Sequence, residues 1–145
     1  MFFLIIKFIS FNCFLLLFSG LVLAKSQWFH SPGNYKGQRF SNLNQINKNN
    51  IINLNKVWVF HSEKVDKRNV VQTTPIYIDK KLIIADIYGG VYALNPKNGK
   101  KIWYTKLNPP AGRRGITSTQ KKHPKIYVST KKSIVELDAK TGKII

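Results

Sequence analysis

The stretch Gly-Arg-Arg-Gly-Ile, residues 112–116, sets two guanidinium groups side by side between glycines. An arginine offers a planar fork of donors, and such a fork can grip an anionic ligand through two parallel hydrogen bonds. The same residues also suit an ordinary solvated arginine pair, and spacing alone leaves both readings open. Other candidates for chemistry are weaker. Asn-Gly-Lys-Lys at 98–101 and Thr-Gly-Lys-Ile at 141–144 lack the glycine spacing and the following Ser or Thr of a phosphate-binding loop. His30, His61 and His123 stand far apart without acidic neighbours at ligand spacing, so they read as solvated or capping residues. The 6 acidic residues form no paired-carboxylate arrangement for acid–base work. No serine sits in a nucleophile elbow.

Elements of one kind must position whatever chemistry there is. At 145 residues the chain is long enough for one ordinary domain. Its 24 Lys and Arg against 6 acidic residues give a net charge of +18. Such a balance could favour nucleic acid, an anionic membrane surface or acidic ligands. The lysines, however, are scattered as pairs at 80–81, 100–101, 121–122 and 131–132, mostly beside turns. They read as a generally basic, solvated surface with no specific nucleic-acid partner.

Residues 1–24 are almost wholly apolar apart from Lys7 and Asn12, and Ala24 follows Val22 at the spacing of a signal-peptidase site. A secretory signal peptide over 1–24 is expected, with an uncleaved membrane anchor as the alternative. The sole cysteine, Cys13, lies in this segment, so an exported protein would hold no disulfide.

The rest of the chain repeats itself. Val91–Lys101 reads VYALNPKNGKK and Ile134–Ile144 reads IVELDAKTGKI, 43 residues apart. Upstream of each copy, LIIA and YVST have the β-branched and aromatic composition of strands. VYAL and IVEL alternate as half-buried strands do. NPKNGK and DAKTGK are turns, in which Asn or Asp bonds its own backbone and Gly supplies positive φ. IWYT follows as another strand, so each unit is a β-meander. A period near 43 residues with four short strands is that of β-propeller blades.

Trp58 and Trp103 lie 45 residues apart and are expected to wedge between successive blades. The next equivalent position falls just past Ile145, so a fragment or an interrupted gene is expected. Ahead of the first blade, residues 41–54 are expected to hold one or two helical turns with Leu43, Ile46 and Ile51 or Leu54 facing inward. Residues 61–69 and 109–115 read as polar loops.

Residues 28–145 resemble the quinoprotein dehydrogenases that use pyrroloquinoline quinone. The likeness lies in GQRFSNLNQINKNNIINLNKVW before the first blade, in QTTPIYIDKKLII, in VYALNPKNGKKIW, in GRRGI and in VELDAKTGK. It implies an all-β fold, a partial β-propeller over residues 25–145 with about two blades of a presumed eight. It implies a periplasmic oxidoreductase for sugars, polyols or alcohols, with electrons passed to a quinone or cytochrome and possible membrane association.

By the same resemblance, Arg114 would contact the quinone's oxygens. Gln72 would stand where many members carry a cofactor-facing Glu, and Thr130 would be a third cofactor contact. The calcium ligands and the catalytic Asp are expected downstream, so no catalytic or metal residue is assigned within the chain. Adjacent cysteines ahead of the Arg-Gly pair, common in the alcohol branch, are missing from TKLNPPAGRRGI, which leans toward the glucose or polyol branch. The alternatives are a non-enzymatic propeller scaffold of the outer-membrane assembly type, needing neither quinone nor calcium, or an inactive gene relic.

Overall fold

The computed structural model describes residues 27–63 and 73–145, except for the side chains of Arg113 and Arg114. Residues 1–24 and Gln72 lie outside the described set. Among the described residues, seven strands form two antiparallel sheets. In the first, β1 (Ile76–Ile78), β2 (Lys81–Ala85), β3 (Gly90–Leu94) and β4 (Lys101–Lys106) follow one another as a meander. In the second, β5 (Ala111–Ser118), β6 (Lys125–Thr130) and β7 (Ile134–Asp138) do the same. This is the expected all-β architecture of stacked propeller blades.

The turns form for local reasons. After β3, the Asn95 Oδ1 accepts the Lys97 N–H at 2.9 Å, and Gly99 takes φ +68° to send its N–H to the Asn95 carbonyl at 2.8 Å. After β7, the Asp138 carboxylate accepts the Thr141 N–H and hydroxyl, each at 2.7 Å, and Gly142 takes φ +75°. The Thr141 hydroxyl and amide bonds hold the Asp138 carboxyl below its usual range. The pairing of the two repeats in sequence is thus a pairing of two like turn geometries.

These turns also join the blades. The Trp103 indole lies on Gly142, where an added Cβ would stand 2.6 Å from Cε3, and its N–H donates to the Ala139 carbonyl at 3.2 Å. Trp58 treats the preceding turn the same way: a Cβ on Gly99 would stand 2.5 Å from Cε3, and the indole N–H donates to the Pro96 carbonyl at 3.0 Å. The residues before Phe60 therefore meet the first blade as β4 meets the second.

Alternating residues from both sheets make one core. Ile76, Ile78, Ile83, Ala85, Val91 and Ala93 of the first sheet meet Ile116, Ile126, Val128 and Leu137 of the second. All five residues of β3 are buried, which a strand covered on one face would not show. Its far face is covered by Phe60, whose ring meets Tyr92 edge-on at 5.1 Å between centroids.

One expectation holds in part and another fails. Residues 41–54 hold a single helical turn, the 3-10 turn Ile51–Asn53, but Leu43, Ile46, Ile51 and Leu54 are all exposed rather than facing inward. The asparagines explain this. Asn47 and Asn50 side chains bond nearby backbone groups, which competes with helix continuation. Nor is 109–115 a loop, because β5 begins at Ala111. Ala111 and Ile116 are buried and pair with β6, while the polar residues between them leave the ladder.

Replacing Gly142 by Ala should destabilise the chain by about 3 kcal/mol, from the left-handed φ and the displaced indole together. Gly37→Ala is the control: φ is +69° but nothing lies within 4 Å of an added Cβ. It should cost only about 1 kcal/mol. Urea unfolding monitored by tryptophan fluorescence compares the two, and equal costs would remove the tryptophan contact from the account.

Candidate functional site

The first strands of the two sheets, β1 and β5, come together at one edge of the blade pair. Residues 28–30 lie between them. Trp28 exchanges backbone hydrogen bonds with Tyr77 of β1 at 2.8 and 2.9 Å, and the Phe29 carbonyl accepts the Ser118 N–H of β5 at 2.9 Å. His30 bridges to Thr117. Two edges that would otherwise expose unpaired backbone groups are thereby tied to one short extended segment.

His30 corrects the sequence reading of a solvated residue. It is 7% exposed, its ring stacks on Tyr35 at 4.8 Å, and its Nε2 is buried without a hydrogen-bond partner among the described residues. No local pattern marks it, since the bridge to Thr117 spans 87 residues of chain.

β5 carries the arginine pair. Ala111 pairs with Thr130 and Ile116 with Val128. Between those pairs β6 contributes only Ser129, whereas β5 contributes Gly112, Arg113, Arg114 and Gly115. Residues 112–115 are therefore a bulge at the edge where the blades converge. Bulges re-aim residues away from the regular pleat, and they gather beside functional sites.

Beside the bulge is a hollow of about 200 Å³ lined by Gly115, Ile116, Thr117, Tyr127, Ser129 and Ile134. Ligand pockets for small molecules run to roughly 300–1,000 Å³. At that size the described residues form a shallow hollow rather than an enclosed pocket.

The three residues singled out by resemblance separate. Arg114 lies in the bulge. Gln72 is outside the described residues, although the next residue, Thr73, is buried and donates its hydroxyl to the Ala85 carbonyl. Thr130 ends β6, and its hydroxyl is engaged in the turn to β7. It accepts the Ser133 N–H at 3.0 Å and the Lys132 N–H at 3.2 Å, and donates to the Ser133 carbonyl at 3.0 Å. A cofactor contact through that hydroxyl would compete with the bonds closing the hairpin.

Sequence reasoning missed a buried polar cluster in the first blade. Asp86 Oδ1 accepts the Tyr88 N–H at 2.8 Å and the Gly90 N–H at 2.7 Å, and Oδ2 accepts the Tyr92 hydroxyl at 2.8 Å. The Tyr92 oxygen in turn accepts the Glu63 N–H at 3.3 Å. Burial first, then the bond to Asp86, pushes the Tyr92 hydroxyl far above its usual range. A proton held so firmly does no acid–base work near neutrality, so the cluster locks the β2–β3 turn. Nearby, Lys101 pairs with Glu63 at 2.8 Å and holds that carboxyl below its usual range. Among the described residues no group of three or more His, Cys, Asp or Glu could hold a metal ion.

The sequence profile for the β-propeller domain of PQQ-dependent glucose, ethanol and alcohol dehydrogenases matches residues 28–145, and the chain belongs to this family. It is 33% identical over 87 residues to quinoprotein glucose dehydrogenase of Escherichia coli strain K12, covering 57% of this chain and 11% of that protein. It is 31% identical over 129 residues to the quinohemoprotein alcohol dehydrogenase ADH-IIG of Pseudomonas putida, covering 80% of this chain and 17% of that protein.

Among solved structures, ADHIIG from Pseudomonas putida HK5 superposes with a TM-score of 0.67 at 27% identity, over 82% of this chain and 18% of that one. A europium-containing methanol dehydrogenase gives 0.65 at 26% identity, over 82% of this chain and 22% of that one. The chain therefore spans about a fifth or less of the length of these relatives, and both the glucose and the alcohol branches are represented among them.

Because Tyr92 keeps its proton more tightly when folded, its contribution to stability is complete below the ordinary tyrosine pKa of about 10 and declines as pH rises above it. Unfolding free energy measured from pH 8 to 11 should fall above about pH 10. Tyr92→Phe should flatten that fall and cost about 1–3 kcal/mol at neutral pH, because Asp86 loses a buried donor. A pH dependence identical to that of the parent would detach Tyr92 from it.

Proposed function

We propose that the chain forms the opening blades of a PQQ-dependent dehydrogenase that oxidises a sugar, polyol or alcohol and passes the electrons to a quinone or cytochrome. Arg114 carries the reading. It matches the family's Arg-Gly pair, and it stands in a bulge at the edge where the blades converge, where a cofactor with carboxylate and quinone oxygens could be met by a guanidinium fork. Bound there, pyrroloquinoline quinone supplies the two-electron acceptor.

The residues of this chain would bind and orient. Arg114 would hold cofactor oxygens, and Gln72, in place of the more usual Glu, would donate or accept a hydrogen bond without adding charge. Thr130 is the weakest of the three, since its hydroxyl already closes a turn. Calcium, if it serves here, would be held by carboxylates other than those described. The glucose or polyol branch is favoured by the lack of adjacent cysteines before Arg114. Residues 1–24 would send the protein to the periplasm as a signal peptide or hold it at the membrane as an anchor.

Titration of the chain with pyrroloquinoline quinone, followed by the cofactor's absorbance, tests the central contact. Salt of about 0.3 M suppresses non-specific attraction to the +18 net charge. Arg114→Gln should weaken binding about ten- to a hundredfold, the worth of a charge-assisted hydrogen bond of roughly 1.5–3 kcal/mol. An unchanged dissociation constant would exclude Arg114 as a cofactor contact.

A further inference from the structure

Two glycines of the β5 bulge close on one side chain. An added Cβ on Gly115 would stand 1.5 Å from Ser129 Oγ and 2.7 Å from Ser129 Cβ. On Gly112 it would stand 3.2 Å from the same Oγ and 3.3 Å from the Ser129 carbonyl oxygen. Neither glycine has a positive φ, so backbone conformation does not demand glycine at either place. The space does. Ser129 is also the one residue that β6 sets against the four of the bulge, between the pairs Ala111–Thr130 and Ile116–Val128.

We propose that Ser129 is a positioning residue for the arginine pair: the bulge 112–115 is wound around its side chain, whose size sets where Arg113 and Arg114 are presented to an anionic cofactor. The inference rests on the reading of Arg114 given above and adds a residue to it. Ser129 touches no cofactor in this account and acts through the path of β5. A larger side chain would push the bulge outward. A methyl group on Gly115 would do the same, because it would claim the place of the Ser129 hydroxyl.

The distances specify a rescue. In Gly115→Ala the new methyl collides with both Oγ and Cβ of Ser129. Adding Ser129→Ala removes only Oγ and leaves a contact at 2.7 Å, still too close. Adding Ser129→Gly removes both atoms, and the nearest remaining atom, the Ser129 nitrogen, is 3.2 Å away. The order of binding among these variants is thereby fixed in advance.

The experiment is titration of the full chain with pyrroloquinoline quinone in the salt used above, with urea unfolding run in parallel on each variant. Gly115→Ala should weaken binding about ten- to a hundredfold, as small misplacements of positioned groups do. Gly115→Ala with Ser129→Gly should recover most of that loss, and Gly115→Ala with Ser129→Ala should not. Ser129→Val should weaken binding while retaining a cooperative unfolding transition.

A purely structural Ser129 would move the unfolding midpoint and leave affinity in the folded variants unchanged, which would overturn the proposal. Equal affinity in the two double variants would overturn it as well. If Arg114→Gln binds normally while the Ser129 and Gly115 series still follows the predicted order, the Arg114 contact is wrong and the positioning role stands. If Arg114→Gln loses binding while Gly115→Ala does not, the reverse holds. No saturable binding by the parent chain would overturn both.

Discussion

The contact between an indole and a glycine turn holds this structure together. Trp58 covers Gly99 and Trp103 covers Gly142, each with its N–H on a carbonyl in the same turn. The turn needs glycine for two reasons at once. Its φ is positive, and its α-carbon face must be bare so that a flat ring can lie against it. Trp103 thereby joins the largely aliphatic core that the two sheets share. It also fixes the angle and distance of one blade to the next, because the indole hydrogen bond is directional while the surrounding aliphatic contacts are not.

The placing of the arginine pair follows from that stacking. With the sheets locked at their turns, β1 and β5 converge at the opposite edge, and residues 28–30 fill the gap between them. The second blade then departs from a regular ladder at one place, the bulge 112–115. A regular strand would alternate successive residues between the two faces of the sheet. Leaving the ladder frees Gly112–Gly115 from that rule. The hollow beside it is shallow, and Ile134 on its lining is exposed.

The repeat, its strands and its turns were readable in the sequence because each depends on neighbours along the chain. VYAL, IVEL, IWYT and YVST became strands where alternation and composition placed them, and the Asn95 and Asp138 turns formed through bonds spanning only a few residues. Arg114 was singled out only through likeness to a family. The misreadings fall where distant residues decide. GRRGI looked like a loop because its composition is that of a loop, and only pairing with β6 makes it part of a strand. His30 looked solvated because nothing near it in sequence covers it.

The sequence by itself determined the local order: strands, turns, a period of blades, and an arginine pair between glycines. These follow from side-chain alternation and from backbone preferences acting over a few residues. Tertiary structure alone decided why those glycines are glycines. Ser129 fills the space beside both, and it does so because β6 crosses β5 at that register. The burial of His30, the bonding of Tyr92 to Asp86 and the seat of each tryptophan on the following turn have the same origin. Each depends on where a second strand comes to rest, and that is fixed by packing the whole pair of sheets and not by any window of the chain.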